Sequence, residues 1–151
     1  MYMKRTPLAA LGKNETSIVK REIQDVLREI VIKRDGGCFF RNFSGHICSG
    51  FAIDGHLILQ ADHLITRGNA GTYADSRLVV CACKGIHGWK SVGANVNKKQ
   101  YDEMVRTLLP PERVKLWDDC ERDSWKPNRG PAYNWPVTLA ALKQELAHMH
   151  G

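Results

Sequence analysis

From Ser17 onward apolar residues recur at helical spacing: Val19, Ile23, Val26, Leu27, Ile30 and Val31 share one face, with Lys20, Arg21, Asp25, Arg28 and Glu29 on the others. The pattern predicts an amphipathic helix over residues 17–35, stopped at Asp35-Gly36-Gly37, and a basic, turn-rich flexible tail over residues 1–16. Between Cys38 and Leu64 the chain changes to short apolar runs broken by glycines. Asp54-Gly55, between Phe51-Ala52-Ile53 and His56-Leu57-Ile58-Leu59, predicts a hairpin. A polar loop over 66–76 leads into Leu78-Val79-Val80-Cys81, a buried strand by composition. A short helix carrying His87 and Lys90 should follow, weakened by Gly85 and Gly88.

The remainder reads as helical. Tyr101, Met104, Val105 and Leu108 form one stripe, and Pro110-Pro111-Glu112 open a second helix through Val114, Trp117 and Cys120. The segment 125–137, with Pro127, Gly130, Pro131 and Pro136, predicts a loop or strap. Trp125 and Trp135 within it can pack over the core or stack on bases. Thr138 is the expected cap of a last helix bearing Leu139, Leu142, Leu146 and Met149.

Charge adds a direction. The 151 residues carry a formal net charge of +6, but residues 1–100 hold 15 basic and 8 acidic side chains while residues 101–151 hold 7 and 8. A polyanionic partner should therefore meet the first two-thirds. No run approaches the roughly 18 apolar residues that cross a bilayer, and 7–11 is too short for a signal-peptide core. The expectation is a soluble, cytoplasmic protein with no membrane partner. Five cysteines, an odd number, without a secretory signal favour metal binding or simple burial over disulfides.

Asp62-His63 sets a carboxylate beside an imidazole at the end of an apolar strand, facing a Gly-rich basic loop. A histidine there can serve as general base near neutral pH, and the aspartate can hold a hard divalent cation. Neighbours on a strand point to opposite faces, so both reach one site only where the strand end twists. Taken alone, the dipeptide reads as a surface pair. Its setting changes that: Asp62-His63, a polar loop, Asp75-Ser76-Arg77-Leu78-Val79-Val80-Cys81-Ala82-Cys83, then His87 and Lys90.

Strand, loop, strand and helix, with one histidine on the first strand and another on the helix, resembles the ββα-metal nucleases of the HNH family over residues 36–92. The runs 59–67 and 73–81 look like small phage and prophage HNH proteins, including the NinG-type recombination proteins. The resemblance implies a small α+β domain: a basic tail at 1–16, an amphipathic helix at 17–35, a ββα-metal core at 36–92 and a helical extension at 93–151. It implies a metal-dependent endonuclease acting on DNA in phage recombination, replication or processing, leaving 5′-phosphate and 3′-hydroxyl ends. His63 takes the role of general base, and Asp62 and His87 hold Mg²⁺ or another divalent cation. Ser76, or Arg77 in a slipped register, stands where the family has an asparagine that fixes the histidine loop. The interval to His87 is about two residues longer than the family's usual Cys-x-x-Cys-His arrangement.

Cys38 with Cys48, and Cys81 with Cys83, bracket this core and are candidate ligands of a structural Zn²⁺, a use many HNH proteins make of such pairs. Their spacings are unusual, so His46 is a substitute ligand, a Cys83/His87 pair is another arrangement, and buried thiols remain the alternative. Arg67, Asn69, Arg77, Lys84 and Lys90 are candidates for phosphate contact, joined by Arg41 and by Lys4, Arg5 and Lys13 of the tail. Two other functions fit the same residues: a zinc-stabilised nucleic-acid-binding module without catalysis, and a structural or adaptor protein of a phage replication or packaging complex, with replication or recombination proteins as its possible partners. Cleavage of both strands would favour a homodimer.

Overall fold

The computed structural model describes residues 13–41, 48, 58–65, 72–91, 94–124 and 134–150. In chain order these form helix α1 (Lys13–Asp35), strand β1 (Leu59–His63), a 3-10 turn (Ser76–Leu78), strand β2 (Val79–Cys83), and helices α2 (Lys84–Ser91), α3 (Ala94–Leu108), α4 (Pro111–Ser124) and α5 (Trp135–His150). The protein is α+β and mostly helical, with one small antiparallel sheet among the described residues.

Helix α1 buries Ile23, Leu27, Ile30 and Val31, as its spacing predicts. It begins at Lys13, inside the segment expected to be a tail; Glu15 in its first turn and Lys33 and Arg34 in its last complement the helix dipole. Its end is set by Gly36 at φ +73°, whose N–H reaches the Ile32 carbonyl at 3.0 Å. Glycine takes that left-handed conformation without a Cβ clash. Arg41 folds back, donating from Nη1 to the carbonyls of Asp35 (2.7 Å) and Cys38 (2.9 Å) and bracing the end of the helix.

The strands pair in the register Leu59↔Cys83, Ala61↔Cys81, Asp62↔Val80 and His63↔Val79. All five residues of β2 are buried because both faces are covered. Val79 and Cys81 pack with Ile23, Leu27, Leu139 and Leu142 of α1 and α5. Val80 and Ala82 pack with Phe40, Tyr101, Val105 and Trp117. The outer edge of β2 is paired too: Phe39 N–H donates to the Cys81 carbonyl (2.7 Å), and Cys81 N–H donates to Asp35 Oδ2 (2.9 Å). Arg34 donates to the carbonyls of Ser76 and Val79, both at 2.6 Å, and Arg113 donates to those of Arg77 (2.9 Å) and Val79 (3.2 Å). Bonds from a charged donor contribute about 1.5–3 kcal/mol each, so the two arginines fix the backbone that leads into β2. The expected hairpin around Asp54-Gly55 lies outside the described residues; the described partner of β1 is β2.

Helix α3 buries Tyr101 and Val105, and Leu109 just past its end is buried with them, whereas Leu108, assigned to the stripe from sequence, is 37% exposed. The i, i+4, i+8 line is the one that meets the sheet. Pro111 opens α4 as expected, and Trp117 is fully buried. Helix α5 begins earlier than Thr138: Asn134 Oδ1 accepts from Val137 N–H at 3.2 Å, capping the helix, and Pro136 sits in the first turn, where a missing N–H costs no bond. No helix among the described residues is long and apolar enough to cross a membrane.

Candidate metal and catalytic site

Antiparallel pairing decides where the chemistry of β1 points. Asp62 sits opposite Val80 and is 1% exposed. Helix α2 starts directly after Cys83 and turns back over this face, bringing His87 Nδ1 to 3.1 Å from Asp62 Oδ1. The His87 side chain is 42% exposed and that of Asp62 2%, so the pair is closed on the carboxylate side and open on the imidazole side. Tyr101 of α3 packs on the same side, and its phenol is held well above the ordinary range, first by burial and then by the Asp62 charge. A protonated phenol therefore faces a carboxylate in the apolar cluster.

His63, one residue on, sits opposite Val79 and is bonded elsewhere. Its Nε2 lies 2.9 Å from the Tyr73 carbonyl oxygen, and the two rings pack with centroids 5.6 Å apart. A carbonyl can only accept, so Nε2 carries the proton and Nδ1 is the basic nitrogen of the neutral ring. The convergence of Asp62 and His63 expected from a twisted strand end is not seen in their contacts. Asp62 joins His87, while His63 is oriented by the turn before β2.

An imidazole nitrogen and a carboxylate oxygen 3.1 Å apart fit adjacent positions around a hard cation, since an octahedron with bonds of about 2.1 Å has edges of about 3.0 Å.

The other expected site residues divide by their surroundings. Ser76 is buried, and its hydroxyl donates to Glu145 Oε1 at 2.7 Å, so it is tied to α5. Arg77 is exposed but paired with Asp75, Nη2 to Oδ2 at 2.8 Å, and Asp75 raises its pKa further. Lys84 is exposed on the first turn of α2. Arg67, Asn69 and His46, the Lys90 side chain and the terminal Lys4 and Arg5 lie outside the described residues.

Of the four cysteines proposed as zinc ligands, Cys38, Cys48 and Cys83 come together, with their sulfurs within 4.8 Å of one another. Thiolates on one tetrahedral zinc lie about 3.8 Å apart, so a small contraction would let all three bind a metal such as zinc. Cys81 does not join them. Strand alternation predicts one face for residues 81 and 83, but Cys83 is the last strand residue before the helical turn at Lys84 and belongs with Val80 and Ala82, whereas Cys81 belongs with α1. His87 pairs with Asp62, which does not support a Cys83/His87 arrangement.

Burial first, and the Asp35 charge second, push the Cys81 thiol up to about 12 from about 9. The folded protein keeps this proton where the unfolded chain loses it, so its contribution to stability is complete below about pH 9 and is lost as the pH rises toward about 12. The expected loss is about 1.4 kcal/mol per pH unit in that window. Urea unfolding in steps from pH 8.5 to 11 should show this slope in the parent relative to Cys81→Ala, and equal slopes would refute it.

Several contributors carried no sequence signal. Tyr73 acts through its main-chain carbonyl, Tyr101 reads as one more residue of a core stripe, and Glu145 is an unremarked surface carboxylate of α5. Comparison with protein-family models, with curated proteins and with solved structures finds no match.

Proposed function

We propose that the chain is a divalent-metal-dependent endonuclease of the HNH type, hydrolysing phosphodiester bonds in DNA. The observation that carries this reading is the Asp62–His87 contact, built by two antiparallel strands and the helix that follows, with an oriented imidazole at the next residue. In this reading those elements are a ββα-metal core. Asp62 and His87 hold the cation, which when bound supplies Lewis-acid stabilisation of the leaving 3′ oxygen. His63 Nδ1 takes the proton of the attacking water, and the Tyr73 carbonyl stabilises the imidazolium by accepting from Nε2–H. Lys84 on α2 and Arg77 on the turn before β2 offer positive charge for the phosphate backbone, with Arg67 and Lys90 as further candidates. Cys38, Cys48 and Cys83 hold a structural zinc that ties the segment after α1 to the start of α2. The phage DNA-processing context and a homodimer belong to the same proposal.

The three-thiol group favours one second reading, a zinc-stabilised nucleic-acid-binding module without catalysis. Incubation of supercoiled plasmid with the protein and Mg²⁺ or Mn²⁺ separates the two. The parent should nick or linearise DNA only with added cation. His87→Ala should lower the rate by at least the roughly 10–100-fold that losing an outer-shell partner of a metal costs. Binding of DNA with plasmid left intact under every cation would select the second reading.

A further inference from the structure

We infer that helix α5 is a positioning element for His63, acting at two points through the turn that precedes β2. This rests on the reading of His63 as the base. The Tyr73 carbonyl selects the His63 tautomer, so the base is only as well placed as the backbone of residues 72–76. That backbone holds itself together with two turn bonds, Asp75 N–H to the Thr72 carbonyl (3.2 Å) and Leu78 N–H to the Asp75 carbonyl (3.0 Å). Helices add further anchors: Arg34 of α1 donates to the Ser76 carbonyl at 2.6 Å, and α5 contributes at both of its ends.

At one end of α5, Trp135 packs edge-on against the Tyr73 ring at 5.5 Å, with Lys20 Nζ of α1 lying 4.7 Å from the Tyr73 ring and 5.2 Å from the Trp135 ring. An ammonium over two aromatic faces is attracted by both rings and ties α1 to the Tyr73–Trp135 pair. Near the other end, Glu145 Oε1 accepts the Ser76 hydroxyl bond at 2.7 Å. Trp135 and Glu145 are ten residues apart, about 15 Å along the helix axis. Two contacts at that separation fix the orientation of the turn as well as its position. Glu145 itself is exposed and stands outside the apolar seam of Leu139, Leu142 and Leu146 that joins α5 to α1. Its bond to a buried serine on the histidine turn thus serves the turn more than the packing of the helix.

The test uses the full chain carrying Glu145→Ala or Trp135→Ala, with Glu145→Gln and Trp135→Phe as conservative partners. Glutamine keeps an acceptor for Ser76, and phenylalanine keeps a ring against Tyr73. The first readout is the pair of ring ¹⁵N shifts of His63 at a pH where the imidazole is neutral. The parent should show the Nε2–H tautomer, each alanine variant a mixture, and the conservative variants the parent pattern. The second readout is plasmid cleavage, in which kcat should fall roughly tenfold or more in the alanine variants, as misplacement of a reacting group predicts. KM should stay within about twofold, because these side chains do not touch DNA in this reading. Parent-like His63 shifts and kcat in Glu145→Ala would overturn the inference, even if Trp135→Ala fails to fold. If the parent cuts no DNA, the nuclease reading fails, while the ring shifts still decide whether α5 sets the tautomer.

Discussion

His63→Ala is expected to lower DNA cleavage by about 10²–10⁴-fold, the usual contribution of a positioned general base. The substitution also removes a buried bond, since His63 is 7% exposed and donates to the Tyr73 carbonyl. Alanine leaves that oxygen without this partner, at a cost of about 1–3 kcal/mol, so lost activity in this variant alone could reflect a loosened turn. His63→Gln separates the causes, because its amide N–H can still donate toward Tyr73 but the side chain has no basic nitrogen. Both variants should keep the parent's circular dichroism and its affinity for Mn²⁺, since the cation is held by the Asp62–His87 pair, to which His63 is not bonded. Both should lose cleavage alike. Cleavage by His63→Gln within about twofold of the parent would remove His63 from the chemistry and leave it a packing residue.

The second large effect concerns the thiols. Protein purified without added metal should contain about one equivalent of zinc, and Cys83→Ser should contain none. Stripping the metal should cost several kcal/mol, a large share of the ~5–15 kcal/mol that holds a domain of this size, because binding to thiols brought together only by folding is folding free energy. The reason is local. Cys38 follows the glycine stop of α1, Cys83 ends β2, and Cys48 lies in the connection between them, so one ion would cross-link three segments. Burial pushes the Cys38 thiol up to about 12, a neutral and inert group until a cation displaces its proton. Cys81→Ala is the control: it removes a buried thiol on the α1 side and should leave the zinc content at one equivalent. Elemental analysis and thermal unfolding read both outcomes. A zinc-free protein as stable as one supplied with zinc would return all four cysteines to ordinary burial.

Much of the secondary structure was legible because it depends on local periodicity. The apolar spacing in α1, the paired prolines before α4 and the continuous apolar run of β2 each specify an element without reference to the rest of the chain. Misread boundaries have local causes as well. Lys13 to Thr16 extend α1 because Glu15 suits a first turn, and Asn134 displaces Thr138 as a cap because Pro136 is tolerated just inside a helix. The Leu108-for-Leu109 substitution in the α3 stripe is a question of which neighbouring line of the helix faces the sheet, and that depends on how α3 is set against its neighbours.

The sequence by itself determined the residue types of the candidate site, since Asp62, His63 and His87 stand out as chemistry on predicted strand and helix. It also determined that two pairs of cysteines bracket Asp62-His63. Which of these residues meet was decided by tertiary structure. Asp62 and His87 are 25 positions apart and touch because the Asp62↔Val80 register and the immediate start of α2 after Cys83 fold the helix back over the strand. The same geometry directs His63 to a main-chain carbonyl that no side-chain pattern can announce. It also separates Cys81 from Cys83 at the point where extended backbone becomes helix. Periodicity is carried by neighbours along the chain, whereas register and the turn between elements are settled only when distant segments bury their apolar faces together.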